Sequence, residues 1–162
     1  MLADELQRVG GAHIGALPAQ AFDQDLLPAG TRAATRQELA AAARRYSKLR
    51  RRREQYFQSD IFADPAWDIM IDLFAAGVEG RQVSISSACI AAAVPPTTAL
   101  RWLSQLERER MIERVSDAKD RRRTFVRLTK AAEQGVAGWL ALMLETWEAI
   151  FRLEHVPVSR AS

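Results

Sequence analysis

The chain has 162 residues, 48% apolar and 27% charged, a size and balance that fit one globular domain with an added helix or two and exclude a disordered polyelectrolyte. The formal net charge of +3 is small, but it is unevenly laid out: nine basic residues stand against two acidic ones over 31–58 and ten against five over 101–130, while 59–100 carries one against five. Two positive blocks of this kind are the footprint of a phosphate-bearing partner.

Residues 1–33 mix Gly10, Gly11, Gly15, Pro18, Pro28 and Gly30 with scattered apolar positions and show no sustained period, which predicts a mobile or loosely docked arm. From 34 to 58 the chain is rich in Ala, Arg, Glu and Gln and lacks Gly and Pro, so a basic first helix is expected there. Leu39, Ala43, Tyr46, Leu49, Arg53 and Tyr56 fall near one face of it, with most arginines outside. Pro65, with Asp64 before it as N-cap, starts a second helix whose apolar stripe is Trp67, Met70, Ile71 and Phe74 and which Gly77 ends. Val83–Ile85 reads as a short strand, and Ser86 as the cap of a short helix running to Ala92. Pro95 and Pro96 force a turn, and a fourth helix follows from Pro96 to about Arg110 with Ala99, Trp102, Leu103 and Leu106 turned inward. Two β-prone runs, Ile112–Val115 and Thr124–Leu128, flank the polar stretch Ser116–Arg123 and predict a hairpin with a basic tip. The last helix, 130–154, repeats Val136, Leu140, Met143, Trp147 and Ile150 at helix-packing spacing before Pro157 stops it.

These elements describe a mainly α fold with a small β-hairpin: a winged helix-turn-helix core at 65–128, flanked by an N-terminal helix at 34–58 and a C-terminal helix at 130–154, the whole spanning 34–156. Two short helices joined by a tight turn and followed by a basic hairpin suit B-DNA. The second helix fits the major groove, where base edges differ, and the hairpin reaches over the phosphates to the neighbouring minor groove, which attracts arginine. Positive charge supplies affinity and the helix supplies discrimination. Double-stranded DNA is therefore the expected partner.

The run Val94-Pro95-Pro96-Thr97-Thr98-Ala99-Leu100-Arg101 resembles the turn and recognition-helix opening of the MarR-type winged-helix regulators, and Leu106-Glu107, Met111-Ile112 and Arg114 follow at that family's distances. Asp120-Arg121-Arg122, with Asp120 nine residues before Thr129, resembles its wing motif. Ala93 and Arg110 stand where the family usually has glycine; if the backbone there is left-handed, each costs roughly 1 kcal/mol. Ile90 stands at a position that is usually polar. The resemblance implies that Thr97, Thr98, Leu100, Arg101 and Ser104, with Gln105 at the edge, face the major groove, Arg101 toward guanine or phosphate and Leu100 toward a thymine methyl. It also implies that Asp120 pairs with an arginine to fix the wing, that Arg121 or Arg122 enters the minor groove, and that Lys119 and Arg123 neutralise phosphates. The flanking helices would make a homodimer reading a pseudo-palindrome, and a small aromatic effector is implied by the resemblance alone.

Blander readings stand beside these. Arg50–Arg53 could touch flanking DNA or pair with the acidic ridge Asp60, Asp64, Asp68 and Asp72. Cys89 is more in keeping with an ordinary apolar site than with an oxidant sensor, and Trp67, Trp102, Trp139 and Trp147 with core or interface than with a ligand pocket. His155 lies near the end of the last helix, in keeping with a dipole contact. A lone cysteine with His13 and His155 makes no metal-ligand spacing and no internal disulfide, so no metal or cofactor is expected. No nucleophile elbow, phosphate-binding glycine loop or acid-base pair marks an enzyme. The start carries no basic-then-apolar leader and no stretch reaches membrane-spanning length, which predicts a cytoplasmic protein. The alternative function is a winged-helix module that binds protein without reading DNA.

Overall fold

The computed structural model describes residues 33–57, 62–117, 120 and 123–153, with the side chains of Glu54 and 149–153 set aside. The expected N-terminal arm, Asp60 and His155 lie outside these residues. In chain order the elements are α1 (Arg36–Arg52), α2 (Glu54–Phe57), α3 (Pro65–Val78), β1 (Val83–Ser84), α4 (Ile85–Ala91), α5 (Pro96–Arg108), β2 (Ile112–Ser116), β3 (Thr124–Leu128) and α6 (Lys130–Leu153).

Thr35 opens α1 through a reciprocal capping box: its hydroxyl accepts from the Glu38 N–H while the Glu38 carboxylate accepts from the Thr35 N–H at 2.7 Å. The buried face of α1 is Leu39, Ala40, Ala42 and Ala43, whose small side chains let α3 approach closely. Of the expected face, Leu39 and Ala43 are buried and Tyr46 packs against the core, while its C-terminal half is corrected. Leu49 is 60% exposed and Tyr56 82%, and Arg53 sits in a turn that separates α1 from the single turn of α2. The apolar period therefore outlasts the partner that covers it.

Asp64 caps α3 as expected, its carboxylate accepting the Trp67 N–H, and Pro65 fills the first turn. Ile71 and Phe74 of the expected stripe are buried, and so are Ile69, Leu73, Ala75 and Ala76, which makes α3 the central helix of the core rather than a one-sided one. Gly80 carries φ +70 in the turn after it, a conformation that favours glycine. Ser84, not Ser86, caps α4: the chain leaves the sheet at Ser84 and its hydroxyl takes the Ser87 N–H at 3.1 Å.

The sheet is three-stranded and antiparallel in the order β1-β3-β2. Val83 faces Val126 across β1–β3, and Ile112 faces Leu128 across β2–β3; all four point inward. On the outer side Arg127 meets Glu113 directly opposite, at 2.7 Å. Thr129 fastens the hairpin to both neighbouring helices: its hydroxyl donates to the Arg110 carbonyl at 2.9 Å and accepts the Ala132 N–H in the first turn of α6. Val136 and Leu140 bury α6 against α1 and α3, while Trp147, next in the expected seam but one, is 55% exposed. Tyr46, Trp139 and Trp67 meet edge to face, at 5.1 Å and 4.8 Å between ring centres, so Trp67 and Trp139 belong to the packing of α1, α3 and α6. Cys89 is half-buried beside the same core.

Candidate nucleic-acid interface

α4 and α5 are joined by four residues, 92–95, that reverse the chain through Ala93 at φ 52. α5 ends in a second left-handed residue, Arg110 at φ 55. Both positions at which the sequence departs from glycine are thus left-handed, and each non-glycine residue there is held by the hydrogen bonds around it: Ala93 N–H to the Ile90 carbonyl, Arg110 N–H to the Glu107 carbonyl.

Ala99, Leu103 and Leu106 bury one side of α5. Trp102 was expected with them and is instead 39% exposed, because the fully buried stripe runs 99, 103, 106 and leaves position 102 at its edge. On the other side Thr97, Thr98, Leu100, Arg101 and Ser104 are all exposed, so the helix presents these five predicted residues together, uncovered by the described chain. Arg101 has no ion pair or hydrogen bond among the described residues. Ser104 turns its hydroxyl back to the Leu100 carbonyl at 3.0 Å, and Gln105, half-buried, donates to Glu109 at 2.8 Å while accepting from Arg108. Their polar atoms are spent on their own helix. At the start of α5, Pro95 and Pro96 leave the end without a side-chain cap, which keeps the positive pole of the helix open to an anion.

Arg114 of β2 pairs with Glu107 of α5 at 2.9 Å and ties the helix to the hairpin. At the hairpin's end the Asp117 N–H donates to the Arg123 carbonyl and the Arg123 N–H to the Asp120 carbonyl, and the Arg123 guanidinium lies over the Phe125 ring at 6.0 Å. Lys119, Arg121 and Arg122 lie outside the described residues. Ile90 is 77% exposed on α4.

The Arg50–Arg53 block is shared among several elements. Arg50 Nε lies 3.2 Å from Asp68 Oδ1, an ion pair off the hydrogen-bond line, and its Nη atoms approach Asp64 and Asp68 at 3.5 and 3.4 Å. Burial raises the Asp68 carboxyl above its ordinary value, against the pull of Arg50. Arg51 Nη2 donates to the Ala91 carbonyl at 3.1 Å, and Arg53 Nη2 to the Phe62 carbonyl at 3.3 Å. The acidic-ridge reading holds for Arg50. Sequence reasoning missed the Arg51 contact, which joins residues 40 positions apart and leaves no local signal. Farther up α1, Arg44 bonds Asp72 and Glu79, holding the Glu79 carboxyl down at about 2.

Between α1 and α6 lies an open groove of about 770 Å³, walled by Ala42, Tyr46, Leu49, Trp139, Met143 and Trp147 among others. No group of three or more His, Cys, Asp or Glu among the described residues could hold a metal ion, and none of their helices is long and apolar enough to cross a membrane.

Residues 66–132 match the family described as winged helix DNA-binding domain. Comparison with curated proteins gives no match. Among solved structures the chain is similar to the Staphylococcus aureus MepR–DNA complex, at 20% identity over 68% of this chain and 81% of that one, with a TM-score of 0.50. It is also similar to Staphylococcus aureus MepR bound to ethidium bromide (19% identity, 74% and 83% covered, TM-score 0.49) and to transcriptional regulator Tm0710 from Thermotoga maritima (20% identity, 67% and 70% covered, TM-score 0.42). The left-handed turns, the exposed α5 and the β1-β3-β2 sheet agree with that match, and the fold over residues 66–132 is a winged helix set between α1 and α6.

Proposed function

We propose that the protein is a transcription regulator of the MarR type that binds double-stranded DNA sequence-specifically as a homodimer. One observation carries the reading: α5 of a winged helix DNA-binding domain offers Thr97, Thr98, Leu100 and Arg101 on an uncovered face, with Arg101 unengaged. In this reading α5 enters the major groove, Arg101 reads guanine, Leu100 packs on a thymine methyl, and the uncapped start of α5 accepts a phosphate. Arg121 or Arg122 occupies the minor groove, and Lys119 and Arg123 neutralise the backbone around it.

The homodimer is supported by the groove between α1 and α6, which leaves Leu49 and Trp147 exposed along an apolar wall. A two-fold dimer copies its axis into the operator. A small aromatic effector belongs to the same reading through the MarR resemblance.

The test is selection of bound sequences from random duplex, followed by affinity measurements across a salt series. A regulator of this kind gives a selected sequence and a steep salt dependence; Arg101→Ala relaxes the preference, and Arg122→Ala weakens all duplexes alike and lowers the salt slope by about one. Retention of an acidic protein partner with no preference among duplexes would instead favour the protein-binding module.

A further inference from the structure

We propose that Arg51 is a positioning residue for DNA recognition: reaching from α1, it holds the end of α4 and thereby sets how α5 is presented to the groove. The inference rests on the DNA-binding reading above.

Ala91 is the last residue of α4, where carbonyls lack intrahelical donors and the helix pole is negative. Nearby, the Ala92 N–H returns to Ala88 and the Ala93 N–H to Ile90, both within the turn itself. Arg51 is the side chain that comes to the Ala91 carbonyl from outside, at 3.1 Å, and it brings a positive charge to that pole. Ala93, two residues on, is left-handed, and α5 begins at Pro96 without a side-chain cap. The body of α5 is packed by Ala99, Leu103 and Leu106 and tied to the hairpin by Arg114, whereas its start follows a four-residue turn with few bonds of its own, and Arg51 is fixed at that turn's root.

The stretch of α1 that carries Arg51 is anchored on both sides. Arg50 is held by Asp64 and Asp68 at the start of α3, and Arg53 by the Phe62 carbonyl. Consecutive arginines thus tie the end of α1 to the start of α3 and the end of α4. A displacement of α1, half of the proposed dimer layer, is passed to the turn before α5 through one hydrogen bond. With its guanidinium engaged there, Arg51 acts on DNA affinity without lending its charge to a phosphate.

The experiment uses the full chain, a selected duplex and a random duplex, a salt series and a thermal scan, on the native protein, Arg51→Ala, Arg51→Lys and Arg101→Ala. Positioning by Arg51 gives Arg51→Ala an affinity for the selected duplex lower by about tenfold, the scale of one charge-assisted hydrogen bond. Its binding to random duplex and its salt slope stay native, and Arg51→Lys recovers part of the loss. If Arg51→Ala does not fold, Arg51→Lys is read alone and gives a smaller loss confined to the selected duplex. Equal losses on both duplexes with a slope shallower by about one would make Arg51 a phosphate contact and overturn the proposal, as would native affinity in a folded variant. If Arg101→Ala weakens selected binding while the Arg51 variants do not, the positioning role alone fails; if the native chain prefers no duplex, the DNA reading fails and takes this inference with it.

Discussion

Ala93 and Arg110 show how a single residue type carries a cost that the surrounding bonds hold in place. Both have positive φ, where a Cβ crowds the following carbonyl oxygen. Arg110→Gly is expected to stabilise the fold by about 0.5–1 kcal/mol, less what glycine's freer unfolded chain takes back, read as a higher urea midpoint at unchanged slope. Ala93→Gly has the same expected sign. These two positions were legible in the sequence through the motif they interrupt. Glu79 was not, since its partner Arg44 lies 35 residues away. Hydrogen bonds from Arg44 first, then Arg81, put its folded pKa at about 2, below the ordinary 4.5. The unfolded chain therefore binds more protons between those values, so Glu79's contribution is complete above about pH 4.5 and is lost as the pH falls toward 2. Acid titration of native protein and Glu79→Gln should show the two stability curves converging over that window. Asp68 has the opposite sign: burial raises it, so its contribution is present below its ordinary 3.8 and is lost as the pH rises through its folded value.

Among elements, the hinge of the design is the end of α1 against the start of α3. Arg50 and Asp68 side chains are only 13% and 8% exposed, so removing one leaves the other charged in a poor solvent. Arg50→Met is expected to lose about 3 kcal/mol in urea denaturation, and Arg50→Met combined with Asp68→Leu to regain most of it. A double variant as unstable as the single one would show that the pair's charges are not the reason. The order of the elements and the starts of α3 and α5 were readable, because Pro65, Pro96 and Asp64 are local start signals. What could not be read is which side of a helix meets a neighbour. Trp102, Leu49 and Tyr56 fit an apolar period and yet lie exposed, since periodicity records one face and says nothing of how far the covering element extends. The Ser84 cap was misplaced to Ser86 for a related reason: three serines at 84, 86 and 87 are equivalent until the two-residue strand β1 fixes where the helix begins.

At the scale of the whole molecule, α1 and α6 form the layer on which the winged-helix core is mounted, joined by Arg36 to Glu133 and by the packing of Tyr46 on Trp139. In the proposed dimer the groove between them is filled by the second copy. Leu49→Glu should then halve the mass seen in sedimentation equilibrium and weaken binding to a two-half-site duplex far more than to a single half-site; an unchanged mass would remove the dimer from this surface. The apolar repeat along α6 pointed to such a layer, but among the described side chains of that repeat only Val136 and Leu140 are buried within one chain, and the sequence cannot say whether a partner helix or solvent meets the others. The pairing of Val83 with Val126 bears on the opposite face. Because β1 leads straight into α4 while β3 is one arm of the hairpin, this pairing fixes the spacing between the root of α4 and the base of the hairpin. On the proposed DNA-binding reading, a duplex whose grooves do not match that spacing has to twist to fit, so operators with stiff centres should be discriminated by their mechanics even at base pairs the protein never touches.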